Sequence, residues 1–120
     1  MVLYATQPMP PPPAAPALAS ELRRGVVVLA VLSRLRTAQY GYALRQTLAH
    51  AGLPIEEGTL YPLLRRLEAQ GVLASEWRTD DGAARRYYRL TEAGAALLAS
   101  LTASWTELAT TMHALLAGEP

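Results

Sequence analysis

The sequence predicts a mainly helical chain with one small β-hairpin and a long helix at its C-terminal end. Three observations carry that prediction. The run Glu57-Gly58-Thr59-Leu60-Tyr61-Pro62-Leu63-Leu64-Arg65-Arg66-Leu67-Glu68, wound at about 100° per residue, gathers Leu60, Leu63, Leu64 and Leu67 on one narrow face. Gly58, Pro62, Arg65 and Ala69 fall on the opposite face. Two runs that alternate like paired strands, Leu73 to Arg78 and Arg85 to Leu90, flank a turn at Asp80 to Ala84. Near the end, Leu98, Leu101, Trp105, Leu108, Met112 and Leu115 recur at alternating steps of three and four residues, the a/d seam of a packing helix. Helix, hairpin and long helix in that order describe a winged helix-turn-helix followed by a C-terminal dimerisation helix.

The elements follow in chain order. Residues 1–19 contain Pro8, Pro10, Pro11, Pro12, Pro13 and Pro16 and read as a disordered or polyproline II arm. No charge flanks these prolines to orient docking, which favours a passive tail. Ser20 is placed to cap a first helix reaching about Leu35, with Leu22, Val26 and Leu29 on its buried stripe. Val26-Val27-Val28 would also suit a buried strand, but length and the arginines at the N-terminal end favour helix. A second helix is expected from about Tyr40 to Ala51, turning Leu44, Leu48 and Ala51 inward, with room for a short strand before it. Gly52 stops it and Pro54 blocks its continuation. The third helix starts near Glu56 or Glu57 and ends at Gly71. Pro62 then lies just past its first turn, which requires either a later start or a bend. Thr91 caps the last helix, which reaches about Leu116. The winged domain thus covers 20–90 and the dimerisation helix 91–117.

Composition narrows the function. At 120 residues the chain is one domain plus a tail. Its formal net charge is only +1, but all eleven basic residues are arginines between Arg23 and Arg89, a span with six acids. Beyond Arg89 the only charged residues are Glu92, Glu107 and Glu119. The positive field therefore lies on the third helix and hairpin, away from the terminal helix. With no cysteine, disulfides, thiol catalysis and sulfur-ligated metals are excluded. His50 and His113 stand alone on their helices, so no catalytic or metal constellation and no cofactor is expected. No apolar run is long enough to span a bilayer, and the start lacks the basic residues of a secretory signal. A soluble cytoplasmic protein is the expectation.

A helix that buries leucines and presents small, hydroxyl and arginine groups outward suits the major groove of double-stranded DNA. Arg65 is the candidate base reader, with Thr59, Tyr61 and Pro62 close to the DNA. Arg66 either joins them or pairs with Glu68 or Glu57. Arg85 and Arg86 are candidate wing contacts to phosphate or the minor groove, although strand alternation sends only one of them outward. Asp80 and Asp81 at the tip would repel DNA, so the wing is expected to approach with its arginine flank. The apolar seam Leu98, Leu101, Trp105, Leu108, Met112 and Leu115 is either a core stripe of this chain or the interface of a homodimer. Its length relative to so small a domain favours the dimer, and a two-fold dimer matches an inverted-repeat operator.

Several of these segments also carry a resemblance. Tyr40-Gly41-Tyr42, the block Glu57 to Glu68, Gly71-Val72-Leu73 and Arg86-Tyr87-Tyr88-Arg89-Leu90-Thr91-Glu92-Ala93-Gly94 resemble the signature of PadR-family transcriptional regulators. The likeness runs from about Leu22 to the C-terminus, and the short tail resembles the small members with a single dimerisation helix. It implies a bacterial, dimeric DNA-binding repressor, often relieved by a phenolic or other aromatic compound. It also implies a phosphate contact for Tyr40, whose residue type alone would equally fit packing against the third helix. Some similar small members hold planar ligands between their dimerisation helices, with the first helix lining the cavity. Mapped onto this chain, such a site would use Leu22, Val26, Leu101, Trp105 and Leu108, with Met112 at its edge. No charge stands near, which disfavours organic cations. Two other functions fit the same fold: a module whose basic face binds an acidic protein, and a repressor without a small-molecule ligand.

Overall fold

A computed structural model describes residues 9–10, 12–80 and 82–118. The elements are α1 (Ala15–Arg34), β1 (Gln39–Tyr40), α2 (Gly41–His50), α3 (Glu57–Ala69), β2 (Leu73–Arg78), β3 (Arg85–Leu90) and α4 (Glu92–Leu116). The fold is mainly helical with a small antiparallel sheet in the order β1-β3-β2. The expected arm falls outside the described residues at 1–8 and Pro11, as does Asp81 at the hairpin tip.

Helix α1 starts earlier than Ser20. It begins at Ala15 with Pro16 in its first turn and no side-chain cap, so Ser20 lies inside the helix. A proline there gives up an N–H that has no helical partner and presets φ for the helix. The buried stripe differs as well: Val27, Val31 and Leu32 face the core, with Leu35 just beyond the helix, whereas Leu22 is 77% exposed. Val26 and Leu29 are only partly buried. The central segment is apolar on every side, so periodicity alone does not select which residues face inward.

Helices α2 and α3 end in the same way. The N–H of Leu53 reaches back to the Leu48 carbonyl at 2.8 Å, and that of Val72 to Leu67 at 2.9 Å. Gly52 (φ 99°) and Gly71 (φ 78°) supply the left-handed step each closure needs. Ala51, expected to face inward, is the exposed residue just after α2. In α3 the expected face is buried: Leu60 and Leu64 are 0% exposed, Leu67 3% and Leu63 7%. Each such leucine contributes roughly 1.5–3 kcal/mol of burial. Glu57 is the first residue of α3, and Pro62 lies within the continuous helix. The proline leaves the Gly58 carbonyl without its helical donor. Both residues are on the exposed face, where solvent can satisfy that carbonyl.

The strands occupy the expected spans. Register pairs Leu73 with Leu90, Ser75 with Tyr88 and Trp77 with Arg86 on one face, and Glu76 with Tyr87 and Arg78 with Arg85 on the other. Leu73 and Tyr88 fill the core, while Trp77, farther along β2, is exposed. The β1 strand adds Tyr40 opposite Tyr87.

Thr91 ties three elements together. Its hydroxyl donates to the Gly71 carbonyl at 2.6 Å, after α3, and accepts the Gly94 N–H at 3.0 Å, capping α4. Its own N–H bonds the Val72 carbonyl at 3.1 Å. The terminal helix is thereby fastened to the junction of α3 and the wing. Along α4, Leu98 joins the core and Leu101 packs against it, but Trp105, Leu108, Met112 and Leu115 are exposed. The seam's second half is therefore no core stripe of this chain. Among the described residues, no helix is long and apolar enough to cross a membrane.

Candidate nucleic-acid interface

The exposed side of α3 brings together Thr59, Pro62, Arg65 and Arg66 above the buried leucines. The two carboxylates that competed for Arg66 are both engaged elsewhere. Glu57 pairs with Arg45 at 3.1 Å, and Arg45 also donates to the Ile55 carbonyl, pinning the start of α3 to α2. Glu68 pairs with Arg86 at 2.8 Å. Neither Arg65 nor Arg66 makes an ion pair or hydrogen bond with any of the described residues, so both cations face solvent uncompensated.

Tyr61 is placed differently from its neighbours. It is half-buried against the core, and the edge of its ring lies directly on Gly41, where any added Cβ would overlap the ring's Cε1. Only the absence of a side chain at Gly41 lets α2 approach α3 this closely. Tyr61 thus spaces the two helices and shows only part of its surface outward.

The two wing arginines separate as strand alternation requires. Arg86 points to the reader side of the sheet, where its guanidinium holds Glu68 and donates to the Ser75 hydroxyl at 2.9 Å. Ser75 in turn donates to the other Glu68 oxygen at 2.6 Å. This closed set joins α3 to both hairpin strands. Arg86, the other expected wing contact, is engaged by Glu68 and Ser75 while 38% of its side chain stays exposed.

Arg85 lies on the outer face, its guanidinium 4.8 Å from the centre of the Tyr40 ring. Tyr40 meets Tyr87 edge-on at 5.4 Å, and Arg78 stands 4.4 Å over Tyr87. Tyr40 therefore packs on the sheet, against Tyr87 and Arg85. Arg78 and Tyr87 were not singled out from sequence, although Arg78 and Arg85 bracket the turn symmetrically, a spacing that places them on one face of a hairpin. The Glu76 carboxylate, hydrogen-bonded to Arg78, holds that guanidinium above its ordinary pKa. Arginines resting on tyrosine faces lose little freedom when they meet a further partner.

The residues expected to line a ligand site do not enclose one within a single chain. Leu22, Trp105 and Leu108 are exposed, and Val26 and Leu101 only half-buried. A groove between α1 and the start of α3 is lined by other residues.

Comparison with known proteins gives a consistent result. Residues 28–100 match the model of the transcriptional regulator PadR-like family. The chain is 44% identical over 90 residues to the transcriptional regulator Rv3488 of Mycobacterium tuberculosis, covering 74% of this chain and 84% of the relative. A PadR family transcriptional regulator from Eggerthella lenta superposes with a TM-score of 0.77 at 49% identity, covering 85% of this chain and 91% of that one. A PadR-like regulator from Bacillus cereus gives a TM-score of 0.73 at 29% identity, covering 82% and 99%. The buried leucine stripe, the exposed arginines of α3, the hairpin wing and these likenesses together establish that the chain belongs to the PadR-like family of transcriptional regulators.

Proposed function

We propose that this protein is a homodimeric repressor that grips an inverted-repeat operator, with α3 in the major groove and the wing against the backbone. The carrying observation is the pair of uncompensated cations, Arg65 and Arg66, on the exposed side of a helix whose other side is wholly buried. Arg65 reads base edges, Thr59, Pro62 and the exposed part of Tyr61 approach the groove, and Arg66 serves phosphate. Tyr40 and Arg85 contact the backbone from the outer face of the sheet, helped by Arg78. Arg86 acts through Glu68, setting the angle between wing and reader.

Dimerisation is supported by the seam from Leu98 to Leu115, whose last turns lie exposed on a helix fastened to the wing by Thr91. Two copies would bury Trp105, Leu108, Met112 and Leu115 against each other. A planar aromatic or phenolic ligand would bind between the copies, lined by Leu22, Val26, Leu101, Trp105 and Leu108. It would favour a spacing of the two α3 helices that fits the operator poorly. The cytoplasm is the compartment such a role requires.

Fluorescence anisotropy on the protein's own upstream DNA, against a shuffled duplex at two salt concentrations, tests the proposal. Tight, salt-steep and sequence-selective binding is expected. Weak and equal binding to both duplexes would mean either a distant operator or a basic face meant for an acidic protein, and genome-wide capture of bound DNA would separate the two.

A further inference from the structure

The groove between α1 and the start of α3 borders the proposed DNA-facing set but extends beyond it onto α1. It holds about 930 Å³ and is open to solvent. Val27 and Val28 of α1 form its apolar floor with Leu63 of α3. Four arginines also line it: Arg23, Arg24, Arg45 and Arg66. Arg45 is neutralised by Glu57, and Arg23 donates only to the Pro54 carbonyl, at 3.0 Å, which leaves its charge uncompensated. Arg24 and Arg66 have neither an ion pair nor a hydrogen bond among the described residues. Glu56 is the one carboxylate in the lining. It precedes α3 without a capping bond from its side chain, so the positive end of the helix dipole adds to the field there.

We propose that this groove is an effector site for an amphipathic anion, with an apolar body on the floor and a carboxylate, sulfonate or phosphate head on Arg24 and Arg66. A neutral apolar ligand would leave the arginines desolvated without a partner, and a bare inorganic anion would leave the floor unused. The site lies within one chain, apart from the uncharged cavity expected between copies. Its regulatory consequence rests on the DNA-reading role of α3. Thr59, Pro62 and Arg66 line the groove and also belong to the DNA-facing set, so anion and operator compete for the same side chains and each weakens the other equally.

Calorimetric titration of the full chain with octanoate, 1-octanol and octylammonium tests this, repeated on Arg24→Glu, Arg24→Gln and Trp105→Phe. Octanoate should bind at least about tenfold tighter than its neutral and cationic counterparts. Arg24→Glu should weaken it by a further factor of about ten and Arg24→Gln by less, whereas Trp105→Phe should leave it within about twofold. Saturating octanoate should weaken binding to upstream DNA in the parent chain, and Arg24→Glu should shift that effect to about tenfold higher octanoate. Equal binding of all three probes overturns the proposal, as does octanoate binding that depends on Trp105 and not on Arg24, or no binding at millimolar octanoate. Loss of DNA affinity in Arg24→Glu without any octanoate binding assigns the groove to the phosphate backbone instead. Should the protein bind no upstream DNA, the operator reading fails while the calorimetric comparison still decides the site.

Discussion

The guanidinium of Arg86 on β3 lies 2.8 Å from the carboxylate of Glu68 on α3, with Ser75 of β2 bonded to both partners. This set holds the wing against α3. The pair is about one-third exposed (38% and 29%), so its net contribution is modest, about 1 kcal/mol. Glu68→Gln should lower the melting temperature by several degrees. Arg86→Lys should restore little, because a single ammonium cannot serve Glu68 and Ser75 in the fork geometry. In DNA titrations against salt, Arg85→Gln should flatten the slope by about one phosphate, while Arg86→Gln leaves it unchanged and lowers affinity through geometry. A flattened slope for Arg86→Gln would return that residue to the DNA surface.

Arg65→Ala should cost about 1–3 kcal/mol on the operator and far less on random DNA, relaxing preference at one base position. Competition anisotropy with single-base operator variants measures both effects. Equal loss on both DNAs would make Arg65 a phosphate contact.

Gly41→Ala drives a methyl group into the edge of the Tyr61 ring. The ring or α2 must move, at a cost of about 1–3 kcal/mol from overpacking. Combining it with Tyr61→Leu should recover part of that loss, and denaturant unfolding of the double-mutant cycle measures the coupling. Strict additivity would show that the two residues do not press on each other in solution.

Leu108 and Leu115 are 60% and 62% exposed in the single chain, so neither supports its own core. Leu108→Glu combined with Leu115→Glu should convert dimer to monomer with helicity retained, as read by sedimentation and circular dichroism. Persistence of the dimer would place its interface elsewhere.

Legibility followed how local the information was. Both strand spans were readable because a period of two and a turn containing Asp81-Gly82 are written within a few residues. The buried face of α3 was equally clear, since four leucines interrupt polar residues at helical spacing. The orientation of α1 was not, because Gly25 to Leu32 is apolar all round and only the neighbours decide which side is covered. Nor was its start, where Pro16 outranked the better capping residue, Ser20.

The sequence by itself determined the order of the helices and hairpin, the leucine face of α3, the two hairpin strand spans and the seam of α4, each the product of short-range periodicity and chain stereochemistry. Tertiary structure alone decided the partners of like residues. Arg85 and Arg86 are neighbours of the same type, yet one rests on Tyr40 and the other holds Glu68. Glu57 and Glu68 were both open to Arg66, and both went to other arginines. Side-chain charge is visible in one dimension, but an ion pair forms between groups that packing brings within a few ångströms, and that distance exists only in the folded chain.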